Sequence, residues 1–150
     1  MQDTMKINDE VVVGPQPTAE EIRELSQQGF KSVINFREDD EKDQPISPFH
    51  EGAKVKAVNM DYLHLPVSES SMAPELVDQF REKYSKLPKP VFAHCKSGKR
   101  SGAMVMMHIA VENNMTGEQT LDKAKEMGFE CDQPELVEFV KSYVNEHNNA

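Results

Sequence analysis

A mainly parallel α/β sheet of roughly four to five strands, flanked by helices, is the fold this sequence predicts. Three observations carry that expectation. Short runs rich in β-branched and aromatic residues alternate with longer segments whose apolar residues recur at helical spacing, which is how parallel sheets are built. The first strand, helix and second strand follow one another with short joins, the βαβ pattern, so the two strands should run parallel with a right-handed connection. A length of 150 residues is ample for one domain with a sizeable core and short for two, and one domain over 1–150 is expected.

The amino-terminal residues 1–9 are polar and are expected to fray. Val11, Val12 and Val13 form the heart of a first strand over 10–14, which Gly14-Pro15-Gln16-Pro17 brings to an end. Thr18 opens the first helix. It stands three residues before Glu21, the spacing of a capping box; Ile22 and Leu25 share a face, and Gly29 supplies the stop. Residues 30–36, with Ser-Val-Ile-Asn at their centre, read as the second strand.

Arg37 follows at the carboxyl end of that strand, where open α/β sheets place their ligands. It reads either as a surface arginine paired with Glu38 or Asp39, or as a second cation or orienting residue beside an anion site. The acidic run 38–43 reads as a solvated loop. A weakly patterned helix over 49–58 is expected after Pro45 and Pro48. Residues 62–67 then give a third strand, with Pro66 near its end where an edge position tolerates it. Glu69 lies on the polar loop 68–72 that follows, again at the carboxyl edge. Pro74 occupies the first turn of a helix to about residue 86, with Leu76, Val77 and Phe80 turned inward.

Pro88 and Pro90 lead into a fourth strand over 91–93, and 102–110 is an apolar, Met-rich helix. Thr116 and Gly117 begin a further helix to about Met127, ended by Gly128. Pro134 begins the last, in which Leu136, Phe139, Val140 and Tyr143 fall at helical spacing; residues 147–150 form a tail. His108 on the apolar helix reads as a packed core residue.

Seventeen basic residues against 26 acidic ones give a net charge of −9. That balance argues against nonspecific affinity for nucleic acid or anionic membranes. An anionic substrate must therefore be drawn in by a local positive field. Two cysteines, Cys95 and Cys131, are too few for a disulfide scaffold; Cys131 reads as an ordinary thiol or as a resolving thiol that protects Cys95 after oxidation. The five histidines and two cysteines show no zinc spacing, so no metal is expected. No run reaches the ~18 apolar residues of a membrane span, and the basic-then-apolar pattern of a signal peptide is missing. Cytoplasm is the default expectation, an exported mature form with a cleaved leader the alternative.

Between the fourth strand and the apolar helix lies His94-Cys95-Lys96-Ser97-Gly98-Lys99-Arg100-Ser101. A loop wrapped over a helix amino terminus aims several backbone N–H groups, and the positive end of the helix dipole, at one spot. Such a place holds an anion. A thiol in that field ionises more readily than its ordinary pKa of about 8.5 would allow, which makes Cys95 a candidate nucleophile. Arg100 can grip a tetrahedral oxyanion with two parallel hydrogen bonds, and Lys96 and Lys99 add positive charge.

This stretch resembles the phosphate-binding loop of the cysteine-dependent phosphatases, matching it at His94, Cys95, Gly98, Arg100 and Ser101. Four residues separate Cys95 from Arg100, one fewer than in the tyrosine and dual-specificity phosphatases. Rhodanese-type sulfurtransferases use the shorter spacing, so the loop leaves phosphate and sulfur chemistry open. Beyond the loop, Gln16-Pro17-Thr18, the segment 29–37 and Leu65-Pro66-Val67 are similar to the phosphatase-like domain of β-lactamase-hydrolase-like proteins, a likeness covering residues 11–144. Glu38 stands where that pattern suggests a proline.

The resemblance implies the fold of the small dual-specificity phosphatases, hydrolysis of a phosphorylated protein or small molecule, and no cofactor. Cys95 would be the nucleophile; Lys96, Ser97, Gly98, Lys99 and Arg100 would hold the phosphate; Ser101 would help the sulfur leave; His94 and Arg37 would support. Glu69, or failing it Asp61, would be the general acid. The alternatives are a sulfurtransferase carrying a persulfide on Cys95, and a phosphate-binding module without turnover.

Overall fold

The computed structural model describes residue 1 and residues 3–68, 72–127 and 134–148. Its strands are β1 (Met5–Lys6), β2 (Val11–Pro15), β3 (Ser32–Asn35), β4 (Asp61–His64) and β5 (Val91–Cys95), arranged in one sheet in the order β1-β2-β5-β3-β4. The pairs β2/β5, β5/β3 and β3/β4 are parallel. Only β1 is antiparallel, with Met5 opposite Val13 and Lys6 opposite Val12. The expected fraying of 1–9 is thus corrected: too short to show a period, residues 5–6 nevertheless cover the open edge of β2, and Ile7 is buried behind them.

Six helices fill the connections among the described residues: α1 (Ala19–Gln27), α2 (Pro48–Ala57), α3 (Pro74–Lys86), α4 (Lys99–Glu112), α5 (Gly117–Glu126) and α6 (Pro134–Glu146). The two faces of the sheet bury different sets of side chains because successive strand residues point opposite ways. Val33 and Phe92 meet Ile22 and Leu25 of α1 and Val55 of α2 in one core. Ile34 and Ala93, the next residues along, meet Phe80 of α3, Met104 and Met107 of α4 and Val140 of α6 in the other. A sheet covered on both faces explains why its strands read as apolar runs rather than as alternations.

The capping box at Thr18 forms, with Glu21 N–H donating to Thr18 Oγ1 at 3.2 Å and Thr18 N–H donating to Glu21 Oε1 at 2.9 Å. The third strand is shorter than the expected 62–67. Pro66 has no N–H to continue a ladder, yet Leu65 and Val67 on either side of it still donate to the carbonyls of Asn35 and Phe36 at 2.9 Å. That hydrogen bonding carries the chain along the carboxyl edge of the sheet. His147 and Asn148 are tied as well: His147 stacks on Tyr143 at 4.1 Å and Asn148 donates to the Met115 carbonyl.

Candidate active site

Cys95 ends the central strand β5, with β2 on one side and β3 on the other, and is 1 % exposed. The chain leaves β5 through Lys96 and Ser97, both exposed, and turns at Gly98 into α4. Gly98 has φ +99°, a left-handed conformation that only glycine adopts without strain. The turn brings its N–H to 3.1 Å from Cys95 Sγ. Gly98 is also the N-cap of α4 and supplies no side-chain cap, so the first-turn amides keep their donors turned toward the loop. Helix α4 begins at Lys99, three residues earlier than the apolar pattern suggested, since its first turn is the polar half of the loop itself.

Ser101 is fully buried below the sulfur. Its Oγ lies 3.7 Å from Sγ and donates to the Gly98 carbonyl at 3.1 Å. Arg100 is held on its outer side: Nη1 donates to Glu41 Oε2 at 2.7 Å and to the Val67 carbonyl at 2.8 Å, and Nη2 donates to Glu41 Oε1 at 2.9 Å. The Glu41 hydrogen bond raises the Arg100 pKa; burial opposes it, and the Cys95 sulfur adds to it through charge and a hydrogen bond. The Arg100 contact in turn holds the Glu41 carboxyl down at about 2, against the cost of its partial burial. The acidic run 38–43 is therefore not a solvated loop throughout. One of its carboxylates, with 19 % of its side chain exposed, belongs to the site.

Arg37 is not the surface arginine of the first reading. It is 2 % exposed and pairs with neither Glu38 nor Asp39; Nε donates to Glu41 Oε1 at 3.0 Å, Nη1 to Gln16 Oε1 at 2.9 Å and Nη2 to the Lys42 carbonyl at 2.8 Å. Its reach to the loop runs through Glu41. Gln16 passes the chain of contacts onward, donating to Glu51 Oε1 at 2.9 Å, and the other Glu51 oxygen lies 2.6 Å from His94 Nε2. A carboxylate oxygen accepts, so that ring nitrogen carries the hydrogen; Nδ1 has no hydrogen-bond partner among the described residues. His94 and Glu51 are both wholly buried.

A continuous polar chain thus runs His94, Glu51, Gln16, Arg37, Glu41, Arg100, starting one residue before the cysteine and ending at the loop arginine. Sequence reasoning missed Glu41, Glu51 and the role of Gln16. Of the two general-acid candidates, Asp61 lies at the wrong end of the sheet. It pairs with Ser32, and Ser32 with Val91, so it sits about 13 Å along the strand direction from Cys95, at ~3.3 Å per residue. Glu69 and Cys131 lie outside the described residues. His108, on α4, packs edge-on against Tyr84 at 4.9 Å and accepts from Arg81 Nε at 3.3 Å, with burial lowering its pKa. Among the described residues no cluster could hold a metal ion, and no helix is long and apolar enough to cross a membrane.

Residues 3–112 match the family described as β-lactamase hydrolase-like protein, phosphatase-like domain. A β-lactamase hydrolase-like protein of Agrobacterium fabrum is 32 % identical over 126 residues, which is 84 % of this chain and 29 % of that protein. The chain spans under a third of the length of the curated relatives it matches. The fold is shared with crystal structures of two candidate phosphatases. One, from Shewanella putrefaciens, has a TM-score of 0.82 and 21 % identity, with 100 % of this chain and 95 % of that chain covered. The other, from Neisseria meningitidis, has a TM-score of 0.80 and 20 % identity, with coverage of 95 % and 99 %.

Proposed function

The chain belongs to the phosphatase-like domain family of the β-lactamase-hydrolase-like proteins, and from that premise we propose that it hydrolyses phosphate monoesters through a phosphocysteine on Cys95. The observation that carries the proposal is the convergence on one spot of the Cys95 sulfur, the Gly98 N–H 3.1 Å from it, the uncapped start of α4 and the tethered Arg100 guanidinium. The Cys95 thiolate attacks phosphorus and the ester P–O bond breaks, its electron pair leaving with the oxygen. The amides of 96–100 and Arg100 hold the remaining phosphoryl oxygens as charge develops on them. Water then attacks phosphorus, the S–P bond breaks, and sulfur departs as thiolate with Ser101 as its hydrogen-bond donor.

The departing ester oxygen needs a proton. Glu69 is the acid in this reading, supported by the Val67 carbonyl two residues before it accepting from Arg100. The substrate is a phosphorylated protein or small molecule. Cyanide-dependent sulfur transfer from thiosulfate, through a persulfide on Cys95, is the second reading, favoured by the four-residue spacing from Cys95 to Arg100.

The test assays wild type and Cys95→Ser side by side for hydrolysis of an aryl phosphate and for thiocyanate formation, with chelator throughout and reductant removed before the sulfur assay. Phosphate release that vanishes in the variant is the expected result. Thiocyanate without phosphate release would transfer the assignment to the second reading. Phosphate binding with neither product would make the domain an anion-binding module.

A further inference from the structure

Phe49, in the first turn of α2, is the one exposed large hydrophobic side chain among the described residues, at 83 %, and it belongs to neither core. Alone it would call for no explanation. It stands, however, at a groove of about 540 Å³ between α2 and the outer strand β4, a size that suits a small organic group. The walls of that groove are set before anything enters. Tyr62 donates its hydroxyl hydrogen to the Pro48 carbonyl at 3.1 Å and accepts from Asn35 Nδ2 at 3.1 Å, which fixes the ring. The ring lies so close over α2 that a Cβ on Gly52 would stand 2.9 Å from it. His64 is fixed too, with Nε2 2.6 Å from the Arg37 carbonyl.

The groove and the anion site adjoin one short segment. Asp39 lines the groove, and Glu41, two residues on, pairs with Arg100 at 2.7 Å. Two residues span at most ~7 Å. Strand pairing gives the same scale: His64 pairs with Asn35 and Asn35 with His94, so His64 lies two strand spacings, ~10 Å, from the residue before Cys95. The two places differ in charge. The loop carries Arg100 and the amides of the α4 start, whereas Lys56 and Asp39 cancel at the groove and leave aromatic and aliphatic surface between them. An anion is drawn to the first and an uncharged, apolar group to the second. A single molecule with a phosphate at one end and an apolar group at the other satisfies both.

We infer that this groove receives the organic arm of the substrate, so that the ester this domain favours carries an aromatic or aliphatic group ~10 Å from its phosphorus, packed between Phe49 and Tyr62. The inference rests on the proposed phosphate chemistry and names its substrate class. Phe49 and Tyr62 are specificity-determining residues in it; the affinity they add comes from the apolar surface that the arm and the Phe49 ring remove from water.

Phosphonates test this without turnover, because carbon replaces the ester oxygen and nothing is cleaved. Calorimetric titration of the wild type with methylphosphonate and with 6-phenylhexylphosphonate, whose flexible arm crosses the span, is expected to show the second binding about tenfold more tightly. The amide resonances of Phe49 and Ala53 should shift with the long phosphonate only. In Phe49→Ala the preference is expected to shrink to about twofold, and in Ala53→Glu, which sets a carboxylate in the groove, to vanish. Equal affinity of the two phosphonates for the wild type, or a preference that survives both variants, would overturn the inference. So would a Phe49→Ala protein that changes from dimer to monomer with its preference intact, which would make the groove a face between copies. Should either variant fail to fold, the other and the wild-type resonances still decide. A wild type that prefers the long phosphonate but hydrolyses neither methyl phosphate nor 6-phenylhexyl phosphate keeps the groove and removes the proposed function. Hydrolysis of both esters with the same kcat/KM does the reverse.

Discussion

Ser101 has one hydroxyl hydrogen and two acceptors within reach. It donates to the Gly98 carbonyl while Cys95 is a thiol, and the S–H then has Ser101 Oγ, 3.7 Å away, to point at. Once sulfur is the leaving thiolate, rotating the hydroxyl toward it stabilises the departing charge. Ser101→Ala is therefore expected to slow breakdown of the phosphocysteine more than its formation, seen as a burst of aryl alcohol followed by a slow steady state. Arg100→Lys keeps the charge and loses the fork; kcat/KM should fall by about 10²-fold, as for removal of one oxyanion donor. The loop residues were legible because they sit together: His94, Cys95, Gly98, Arg100 and Ser101 all fall within eight consecutive positions. Glu41 and Glu51 were not, because their partners lie 59 and 43 residues away and nothing in an acidic run tells which carboxylate turns inward.

The acidic loop and the start of α4 act as two halves of one element. Gly98→Ala places a side chain at φ +99° and is expected to cost about 1–2 kcal/mol in denaturant unfolding and to remove the N–H from the sulfur, so activity should fall with it. The loop also sets a pH limit. Glu41 ionises near 2 in the folded protein and near 4.5 when free, so folding is favoured by its ionisation at pH above about 5, and the gain is lost as pH falls toward 2. Denaturant melts taken between pH 5 and 2.5 should show Glu41→Gln losing less stability than wild type, by about 2 kcal/mol after allowance for solvent screening. At this scale the capping box of α1 was readable, since cap and partner are three residues apart. The two-residue β1 was not, since its pairing with β2 is all that defines it.

In the whole molecule, the sheet order puts Cys95 at the centre: β5 enters between β2 and β3, both of which precede it in the chain. Sequence periodicity indicated parallel strands and six helical segments, but it carries no information on which strand lies beside which. The insertion sets Glu51 of α2 under His94, both without solvent contact. Glu51→Ala leaves a buried histidine and Gln16 short of their partner and should cost about 3 kcal/mol in unfolding free energy. On the far side, Gly117 of α5 meets the Lys141 backbone so closely that a Cβ would stand 2.7 Å from its carbonyl oxygen. Gly117→Ala should lower the melting temperature while leaving kcat/KM of the folded protein unchanged, because α5 and α6 contribute nothing to the loop.

The most direct test of the central claim is to mix the Ser101→Ala protein with an aryl phosphate, quench in acid within the burst, and locate any added phosphoryl group by mass spectrometry of the peptide carrying Cys95. A phosphoryl group on the Cys95 sulfur, absent from the double variant with Cys95→Ser, is the result predicted here. Phosphate release with Cys95 unmodified at every quench time, or a peptide carrying an extra sulfur instead, would contradict it.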